Sequence, residues 1–538
     1  MKYKIFEKEI SGPFTIPAGI VTTEVSTIEK VANEIPEIGI LTTKSIGPEP
    51  KEGYREPIVA QISYLSFINA VGLTNPGAKE FAKKISKIKI PRDKFLLISI
   101  FGSNKNEFRK VAETLIDFAD GFELNISCPH TEKYGQAIGK DTAILEEIVK
   151  SISSFGKPVF VKISPNLDVK ETVKATLKGG ASGITAINTR GPELFLEEGY
   201  PVLSNKVGGI SGRAILELGL RCVKEIRSLT DLPIIACGGI SAAEDLRRYK
   251  MAGANFFGIG SALAGMDMEE IKQYFHDLLI DFGKGTKGAE RLLKEKLNMG
   301  YRKYRVRENQ SLAEDLFLLR LDSNPLTTLQ RVEPGQFIFA WLPEKGEKPF
   351  SVFDDNPLTL LIKKRGCFTQ ELSRLKGGDI LYVRGPHGNS LKLNGKTLLV
   401  GGGTGIAGLY LFAKKYQNTI SLLGAKNKDH LPYLGEFKKL SKETYLSTEN
   451  GEMGHKGLVT DILPEIVEKT KPEYCLNCGP EPMVKMAIEI EKKFLDPEKI
   501  YSSLELLTKC GIGLCGSCAT SKGYRSCVDG TFLKSNQI

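Results

Sequence analysis

Eight apolar runs of strand length recur between residues 16 and 263, separated by stretches long enough for a helix. Each run ends in Gly, Pro, Ser or Thr, and helical patterns such as ETVKATLKGG and AAEDLRRYKMAGA lie between them. The runs are IPAGIV from Ile16, IGILTTKSIG from Ile38, LLISIFG from Leu96, FELNIS from Phe122, VFVKIS from Val159, GITAINT from Gly183, IIACGGI from Ile234 and FFGIGSAL from Phe256. This alternation predicts a parallel (β/α)8 TIM barrel over residues 1–282.

Polar residues gather at the carboxyl ends of these runs, where barrel enzymes carry their chemistry. They are Lys44, Asn125, Cys128, Lys162, Asn188 and Thr189. Glycine-rich turns at residues 208–212, 237–240 and 258–261 offer free N–H groups beside a helix start, which predicts a phosphate site. Together with Lys44 and Lys162, these turns favour a flavin mononucleotide over the barrel mouth, where a lysine would stabilise the anion formed on reduction.

The pattern changes after residue 282. A polar, glycine-rich break from Gly283 to Gly288 and a charged amphipathic segment predict a linker over 283–301. Short alternating strands with Gly and Pro turns predict a small antiparallel β-barrel over 302–395. A buried strand then runs into the glycine turn 401–405, and the strand–helix alternation that follows predicts an open α/β nucleotide-binding domain over 396–498.

Four cysteines near the carboxyl end have the spacing Cys-x4-Cys-x2-Cys-x8-Cys. They are Cys510, Cys515, Cys518 and Cys527. This spacing favours four thiolates on a [2Fe–2S] cluster over a structural zinc knuckle, which is usually built from two Cys-x2-Cys pairs. Residues 499–538 are therefore predicted to form a small iron–sulfur domain. Such a cluster carries one electron at a time, so its donor and acceptor are expected elsewhere in the chain.

Composition narrows the class of protein. A chain of 538 residues is too long for one hydrophobic core, so several domains are expected. Its net charge of +10 is spread along the chain, and no block of Lys and Arg is interleaved with aromatic residues. This favours a solvated surface over a nucleic-acid site. No apolar run is long enough to span a membrane, and the opening MKYKIFEKEI lacks a signal-peptide pattern. Ten cysteines suit the cytoplasm, the expected location, if they serve a cluster and catalysis.

Two further groups of metal-ligating residue types have an ordinary interpretation. Cys475 and Cys478 are spaced like a thioredoxin or zinc pair, but Cys478 begins a Cys-Gly-Pro-Glu-Pro turn and no second pair follows nearby, so no metal is expected there. Four histidines have no ligand spacing among themselves and are expected at the surface or in loops. They are His276, His387, His430 and His455.

Four motifs of the barrel half carry a family resemblance: NAVGLTN from Asn69, NISCP from Asn125, KISPN from Lys162 and AINT from Ala186. Together they resemble the catalytic subunit of the two-subunit dihydroorotate dehydrogenases, over residues 1–280. The resemblance implies that Cys128 is the base that removes a proton from C5 of dihydroorotate while a hydride leaves C6 for the flavin. A thiol needs only a modest pKa shift for this role; a buried structural cysteine is the alternative.

The same resemblance implies two ligand sets at the barrel mouth. The asparagines and Thr189 would hydrogen-bond the pyrimidine amides, and the backbone of residues 71–73 would hold the carboxylate. The implied substrate-binding residues are Lys44, Asn69, Val71, Gly72, Leu73, Asn125, His130, Asn188 and Thr189. The implied FMN-binding residues are Ala18, Gly19, Lys44, Ser45, Asn125, Lys162, Gly209, Gly238, Gly239, Gly260 and Ser261.

His130 departs from that family's pattern. The dihydroorotate enzymes commonly carry Asn after Ser-Cys-Pro, whereas Ser-Cys-Pro-His resembles the dihydropyrimidine dehydrogenases that reduce uracil and thymine. Against this alternative, the loop from Asn69 to Asn75 resembles the carboxylate-holding loop of the dihydroorotate family, which an uncharged uracil would not need. Dihydroorotate is the favoured substrate, and a dihydropyrimidine is the alternative.

Five motifs carry a second resemblance: KPFS from Lys348, GCFT from Gly366, GPHGN from Gly385, KGLVTD from Lys456 and CGPEPM from Cys478. They resemble the ferredoxin-reductase-like subunit that passes electrons for the same dehydrogenases, over residues 302–535. The implied FAD-binding residues are Lys348, Pro349, Phe350, Ser351, Gly366 and Thr369. The implied NAD-binding residues are Gly401, Gly402, Gly403, Thr404, Gly405, Cys478, Gly479 and Pro480.

Two positions depart from this second pattern. Arginine is usual at Lys348, and an ammonium cannot make the two-pronged contact of a guanidinium, which predicts looser binding of FAD. In the same family pattern proline is usual where this chain has Gly408, and the glycine is expected to loosen the start of the helix on the nucleotide side. The mixed charges of Lys426, Lys428 and Asp429 do not distinguish NAD from NADP.

The two resemblances imply that both components of a normally two-subunit enzyme stand in one chain. Dihydroorotate would be oxidised to orotate in pyrimidine (UMP) biosynthesis, with electrons passing from FMN through [2Fe–2S] and FAD to NAD+. An alternative from another class is an electron carrier or diaphorase without pyrimidine chemistry. A homodimer is expected by resemblance, with small-molecule substrates and neither nucleic acid nor membrane as partner.

Overall fold

The structure is a computed structural model that describes residues 3–126, 139, 141–323 and 331–538, with Ser323 described by its backbone alone. The predicted base Cys128 and the substrate residue His130 lie outside the described residues. Contacts divide the chain into two compact units, Met1–Leu297 with Ile512–Gly523 and Asn298–Gly511 with Tyr524–Ile538. The finer domain boundaries given above stay predictions.

A closed barrel of eight parallel strands forms the core of the first unit, as predicted. Its strands follow one another around the barrel in chain order. They are Phe14–Thr15, Ile38–Thr42, Phe95–Ile100, Gly121–Asn125, Val159–Ile163, Gly183–Ala186, Ile234–Cys237 and Phe256–Gly258. The first strand precedes its predicted run, and each of the others begins within one residue of it.

Within the described residues, a helix follows each barrel strand and covers it from outside. These helices are Val25–Glu34, Ala78–Ile85, Lys105–Leu115, Thr142–Ser153, Val169–Lys178, Leu216–Arg227, Ala243–Ala252 and Met268–Lys284. The last helix begins at a capping box, in which Asp267 accepts from the N–H of Glu270, and it ends at Gly285, whose φ is 78°. None of the helices that the structure describes has the length and apolar character needed to cross a bilayer.

Short strands inserted after the second and sixth barrel strands make a separate antiparallel sheet. Its order is Arg190–Leu194, Val207–Gly212, Ser66–Asn69 and Val59–Ser63, and the pair Leu196–Glu197 and Tyr200–Pro201 lies beyond it. Asn69 lies opposite Gly209 in the register, and its side-chain amide donates to the Gly209 carbonyl at 3.1 Å. A predicted substrate residue and a predicted FMN residue are therefore direct neighbours.

The second unit contains a seven-stranded antiparallel sheet. Its order is Gly346–Ser351, Phe337–Leu342, Ile380–His387, Arg302–Ala313, Leu316–Ser323, Leu358–Lys363 and Asp354–Asp355, and the helix Cys367–Arg374 follows the sixth of these strands. The predicted antiparallel strands are confirmed. In the part of the chain that is described, the two edge strands do not pair with each other, so the sheet is open where a barrel was expected. The edge strand Asp354–Asp355 is only two residues long and offers little edge to pair.

A second sheet carries the predicted nucleotide-binding fold. Its order is His455–Lys456, Glu443–Thr448, Thr419–Ala425, Thr397–Gly402, Tyr474–Cys478, Ile500–Ser503 and Leu533–Lys534, and only the last strand is antiparallel. Its helices are Ile406–Lys415, Leu434–Leu440, Val459–Thr470 and Glu481–Glu491. Because Leu533–Lys534 pairs back onto Ile500–Ser503, both ends of the intervening cysteine segment are anchored at one edge of this sheet.

A carboxylic acid is buried in this nucleotide-binding sheet. Glu491 is fully buried, and burial raises its pKa to about 8, against the opposing effect of the Asn477 amide that donates to it at 2.7 Å. Between about pH 4.5 and pH 8 the native chain therefore keeps a proton on Glu491 that the unfolded chain has already released. Stability is fully present at the acid end of this range and falls as the pH rises, by up to roughly 1.4 kcal/mol per pH unit.

Replacing this acid by its uncharged isostere is expected to remove that slope. Thermal unfolding of Glu491→Gln at pH 5.5 and pH 8 should show a smaller loss of Tm than the wild type shows, because glutamine stays neutral. Glu489→Gln on the same helix is the matched control, since Glu489 is an exposed partner of Lys492. An equal loss of Tm in wild type and Glu491→Gln would contradict the buried proton.

Candidate active site and cofactor sites

The barrel mouth carries a connected set of polar side chains from four neighbouring strands. The Asn125 amide donates to the Ser45 hydroxyl at 3.0 Å, and that hydroxyl lies 2.9 Å from the hydroxyl of Ser99. Ser99 donates to Glu123 at 3.1 Å, and the Lys162 ammonium lies 3.9 Å from the same carboxylate. The register also places Asn125 opposite Lys162. Three predicted site residues, Ser45, Asn125 and Lys162, thus belong to one network.

Other predicted substrate residues lie at neighbouring strand ends. Lys44 is buried just beyond the second barrel strand. The N–H of Asn188 donates to the Ile163 carbonyl at 2.9 Å, and the Asn188 side-chain oxygen accepts from the N–H of Thr189 at 2.8 Å. The first bond holds the end of the sixth strand against the fifth, and the second is local to residues 188 and 189. Lys44 and Asn188 thus both stand at the carboxyl side of the barrel.

The predicted carboxylate-holding loop has an unusual backbone. Gly72 and Leu73 have φ angles of 82° and 55°. The left-handed region is uncommon for leucine and costs on the order of 1 kcal/mol, a strain that is concentrated at ligand sites. Asn75 stabilises this conformation, because its amide donates to the Leu73 carbonyl at 2.8 Å while its oxygen accepts from the N–H of Gly77 at 2.9 Å.

Close-packed glycine turns follow the last two barrel strands, where the phosphate site is predicted. Gly239 has a φ of 79°, and a Cβ there would come within 2.8 Å of the Leu216 side chain. Tyr249 fixes the same turn by donating to the Gly238 carbonyl at 2.7 Å. Gly260 leads into the short 3-10 helix Ser261–Leu263. Ala18 and Gly19 follow the first strand, and Gly19 has open space where a side chain would stand.

Two residues of the network, Ser99 and Glu123, were not predicted from the sequence. Both lie inside barrel strands and are almost fully buried, with exposed fractions of 0% and 2%. A polar residue inside an otherwise apolar strand run was the available signal, because a buried polar group requires hydrogen-bond partners. The polar residue in LLISIFG is Ser99 and the one in FELNIS is Glu123, and their contacts lead to Lys162.

Glu123→Gln is expected to slow flavin reduction by substrate on the order of tenfold. The change keeps the shape of the side chain but removes the negative charge that lies 3.9 Å from the Lys162 ammonium, and a tenfold effect corresponds to about 1.4 kcal/mol. Stopped-flow bleaching of the flavin measures the rate. Glu113→Gln, on an exposed helix face beside Arg109, is the control and should be unchanged. Flavin reduction at the wild-type rate in Glu123→Gln would show that Glu123 has no role in the reaction.

A cavity of about 580 Å³ in the second unit brings the two predicted nucleotide sets together. Its walls include Lys348, Pro349, Phe350, Ser351 and Thr369 from the FAD set and Thr404, Gly405, Cys478 and Gly479 from the NAD set. Among the described residues, the predicted positions outside its lining are Gly366, Gly401, Gly402, Gly403 and Pro480. Gly366 still supports it, since its N–H donates to the Thr369 hydroxyl at 3.2 Å.

The two turns of the predicted NAD site touch each other. Their strands, Thr397–Gly402 and Tyr474–Cys478, are adjacent and parallel, and the sheet continues from them in opposite directions. That is the topological switch point at which open α/β sheets bind ligands. A Cβ on Gly405 would lie 2.2 Å from the Cys478 carbonyl oxygen, so only glycine allows this approach.

Two basic residues beside Lys348 were missed. Lys363 and Arg365 also line the cavity, and Arg365 lies 3.0 Å from Glu505. Three basic side chains around one cavity favour a ligand that carries phosphates. The run Lys-Lys-Arg directly before the GCFT turn was the signal that could have identified them.

One end of the strand Ile380–His387 holds the cysteine segment at two points. Arg384 donates to the Cys510 carbonyl at 3.1 Å, and the amide of Asn389 donates to the Val528 carbonyl at 2.5 Å. Cys510 and Cys527 are buried, with exposed fractions of 2% and 1%. Arg384, directly before the GPHGN motif, and Asn389, at its end, therefore hold the backbone at and beside two predicted cluster ligands, Cys510 and Cys527.

The expectation that His387 lies at the surface or in a loop was wrong. His387 is buried in that strand, its ring packs near Phe337 and Phe339, and burial together with the charge of Arg384 lowers its pKa well below the ordinary range. His387 ends the strand Ile380–His387, in which seven of the eight residues are buried. The other three histidines fit better, since His276 and His455 are exposed and His430 is partly exposed in a short loop helix.

The middle of the cysteine segment packs within the first unit. The N–H of Val21 donates to the Leu514 carbonyl at 2.8 Å, that of Gly265 donates to the Ile512 carbonyl at 2.9 Å, and the Ser26 hydroxyl donates to the Thr520 carbonyl at 2.9 Å. Cys515 and Cys518, in this stretch, are buried. The partners at residues 21–26 and 265 follow the first and last barrel strands, on the same side as the polar network.

Across the described ranges, no three His, Cys, Asp or Glu side chains are grouped as ligands of one metal ion. A two-iron cluster has another ligand pattern, because four thiolates serve two iron ions. The donor set in the segment, four buried cysteines interleaved with glycines of positive φ at 511, 513 and 516, fits such a cluster.

Comparison with known proteins places the barrel half. Residues 1–279 match the family described as dihydroorotate dehydrogenase. The catalytic subunit of dihydroorotate dehydrogenase B (NAD(+)) from Methanosarcina mazei is 36% identical over 300 residues, which cover 55% of this chain and 91% of that protein. The same subunit from Pyrococcus horikoshii is 37% identical over 266 residues, 49% of this chain and 86% of that protein. A chain from the structure of the NADH-dependent reduced ferredoxin-NADP oxidoreductase, described in connection with flavin-based electron bifurcation, is 33% identical with a TM-score of 0.39, over 44% of this chain and 88% of that one.

A (β/α)8-barrel enzyme with its chemistry at the carboxyl ends of the strands is the class of protein that this fold and this site define. The chain belongs to the dihydroorotate dehydrogenase family, since the family match extends over more than half of its length.

Proposed function

We propose that the chain oxidises dihydroorotate to orotate in pyrimidine biosynthesis and delivers the electrons to NAD+. The observation that carries the proposal is the network of Ser45, Asn125 and Lys162 at the mouth of a barrel of this family, with Asn69 beside it on the inserted sheet. The relatives from Methanosarcina mazei and Pyrococcus horikoshii are named as catalytic subunits of dihydroorotate dehydrogenase B (NAD(+)). Those relatives correspond to the barrel half, so the acceptor is assigned here from the second unit.

The residues present fit the cofactors that this function requires. The barrel mouth offers buried lysines and closely packed glycine turns for FMN, and the basic cavity of the second unit suits the phosphates of FAD and a nicotinamide nucleotide. When bound, FMN accepts a hydride, a [2Fe–2S] cluster carries single electrons, and FAD returns an electron pair to NAD+. The four buried cysteines 510, 515, 518 and 527 are the proposed cluster ligands.

Substrate handling falls to side chains around the barrel mouth. Asn69, Asn125 and Asn188 would hold the amide groups of the ring, and the N–H groups of the strained loop 71–73 would bind the carboxylate. The Lys162 ammonium lies 3.9 Å from the Glu123 carboxylate, at the network that borders the proposed substrate position. Cys128 is the proposed base that takes the C5 proton, as the hydride leaves C6.

We infer that electrons leave the barrel within one chain. Residues 512–523 of the cysteine segment are hydrogen-bonded to the loops after the first and last strands of the same barrel, through Val21, Ser26 and Gly265. The Leu514 contact fixes the segment next to Cys515. A cytoplasmic location and a homodimer remain expectations from the sequence.

Anaerobic addition of dihydroorotate to the purified chain tests the proposal. Loss of flavin absorbance with formation of orotate is the expected result, and dihydrouracil at the same concentration should bleach the flavin far more slowly, because it lacks the carboxylate that residues 71–73 would bind. Faster bleaching by dihydrouracil would favour the dihydropyrimidine alternative. No bleaching by either compound, while NADH still reduces a dye, would make the chain a diaphorase.

A further inference from the structure

A fully buried ion pair lies beside the first cysteine of the segment. Arg384 and Glu347 meet through two contacts, Nε to Oε1 at 2.6 Å and Nη2 to Oε2 at 2.8 Å, and neither side chain is more than 1% exposed. The Tyr301 hydroxyl donates to the same carboxylate at 2.6 Å. Desolvation costs several kcal/mol per buried ion, so each charge depends on these partners.

The third nitrogen of Arg384 points toward the cysteine segment. Its Nη1 donates to the Cys510 carbonyl at 3.1 Å and lies 3.2 Å from Nε2 of His387. The guanidinium also lies 3.8 Å from the centre of the Phe339 ring. Because Glu347 fixes the other two nitrogens, the planar fork holds Nη1 in one direction.

The backbone after Cys510 packs directly on this group. Gly511 has a φ of 78°, and a Cβ there would come within 2.6 Å of the Phe339 ring and 3.5 Å of Arg384 Nη1. A side chain at this position would clash with the Phe339 ring, so glycine lets the backbone pass beside Phe339 and Arg384. The positive charge and the backbone beside a proposed cluster ligand are thus in direct contact.

We propose that Arg384 is a positioning residue for the iron–sulfur cluster, which fixes the backbone at Cys510 and raises the reduction potential of the cluster through its permanent positive charge. The inference rests on the proposed function, which assigns a cluster to Cys510, Cys515, Cys518 and Cys527. Reduction adds one negative charge, and a fixed cation nearby stabilises the reduced state. Glu347 moderates this effect, because its carboxylate carries the opposite charge.

Arg384→Gln and Glu347→Gln separate charge from packing, because they remove opposite charges from one ion pair. The midpoint potential of each full-length variant is measured by redox titration, followed by the EPR signal of the reduced cluster. Arg384→Gln is expected to lower the potential and Glu347→Gln to raise it. Each shift should change the ratio of reduced to oxidised cluster about tenfold at a fixed potential, or about 59 mV for one electron.

The double variant Arg384→Gln/Glu347→Gln keeps the test decisive if a single variant fails to fold, because it buries no unpaired charge. Its potential should fall below that of the wild type by less than in Arg384→Gln, since the guanidinium contacts the cysteine backbone and the carboxylate lies behind it. Arg320→Gln is the matched control. It removes a cation that pairs with Glu308 in the same sheet and should leave the potential unchanged.

The outcomes distinguish this inference from the function on which it depends. A lower potential in Arg384→Gln with a higher one in Glu347→Gln, or a lowered potential in the double variant, supports the role of Arg384, and the reverse pair of shifts overturns it. Shifts in one direction for both single variants, or a wild-type potential in the double variant, overturn it and leave a structural role only. A wild-type chain without iron and without the EPR signal would overturn the proposed cluster, and this inference with it.

Discussion

Replacing Cys128 by alanine is expected to slow reduction of the flavin by dihydroorotate by a factor on the order of 10² to 10⁴, the usual contribution of a positioned acid–base group. The thiol acts mainly in the transition state, whereas the asparagines hold the ring in both states. Orotate binding and FMN content should therefore stay close to those of the wild type. Single-turnover bleaching and an orotate titration measure the two quantities separately.

Two companion variants sharpen the assignment of the base. Cys128→Ser should also be slow near neutral pH, because a hydroxyl is a far weaker acid than a thiol and less readily becomes the base. Cys237→Ala is a control cysteine at the end of a barrel strand, where burial raises the pKa of its thiol to about 12. Cys237→Ala should retain a reaction much faster than that of Cys128→Ala. Flavin reduction at the wild-type rate in Cys128→Ala would exclude Cys128 as the base.

Cys515→Ser is expected to abolish orotate formation linked to NAD+ while flavin reduction by dihydroorotate survives. A serine hydroxyl is a poor replacement for a thiolate as an iron ligand, so the variant should lose its iron and its visible cluster absorbance. An artificial acceptor that takes electrons directly from the barrel flavin should then sustain turnover. Iron analysis and visible absorbance measure the loss of the cluster. Assays with NAD+ and with the artificial acceptor measure the two activities separately.

Another buried cysteine provides the control for this variant. Cys222→Ser changes a buried thiol on the helix Leu216–Arg227, outside the cysteine segment. It should keep its iron and both activities. Full NAD-linked activity in an iron-free Cys515→Ser protein would show that electrons reach NAD+ without the cluster, and the proposed path would fail.

The barrel was predictable because its strands are buried on both sides and so appear as continuous apolar runs. Seven of the eight strands begin within one residue of their predicted starts, from Ile38 onward. The exception is Phe14–Thr15, where the run begins at Ile16, one residue beyond the strand. A two-residue strand leaves too short a pattern to locate by periodicity.

The polar network of the candidate site was predictable at strand ends and less so inside strands. Lys44, Asn125 and Asn188 follow or end apolar runs, where a polar residue stands out. Ser99 and Glu123 lie opposite each other in the register of their strands, and only the folded barrel brings them beside Ser45 and Lys162. Their partners are distant in sequence, so a single sequence does not reveal the pairing.

The second unit shows the same limit. The glycine turn at 401–405 and the Cys478 turn were identified from local motifs, but their mutual contact depends on the parallel pairing of Thr397–Gly402 with Tyr474–Cys478. His387 was placed wrongly for the related reason that burial depends on neighbours. Arg384 and Glu347 are separated by 36 residues in the chain, and nothing local indicated their ion pair.

The amounts of orotate and NADH formed by one purified preparation test the central claim most directly. With dihydroorotate and NAD+ supplied anaerobically to the chain alone, the account predicts equal amounts of orotate and NADH, from protein that contains FMN, FAD and iron. A contradicting result is a protein that has all three cofactors bound, forms orotate only until its flavin is reduced, and forms no NADH. That result would show that this chain does not join both components of the enzyme.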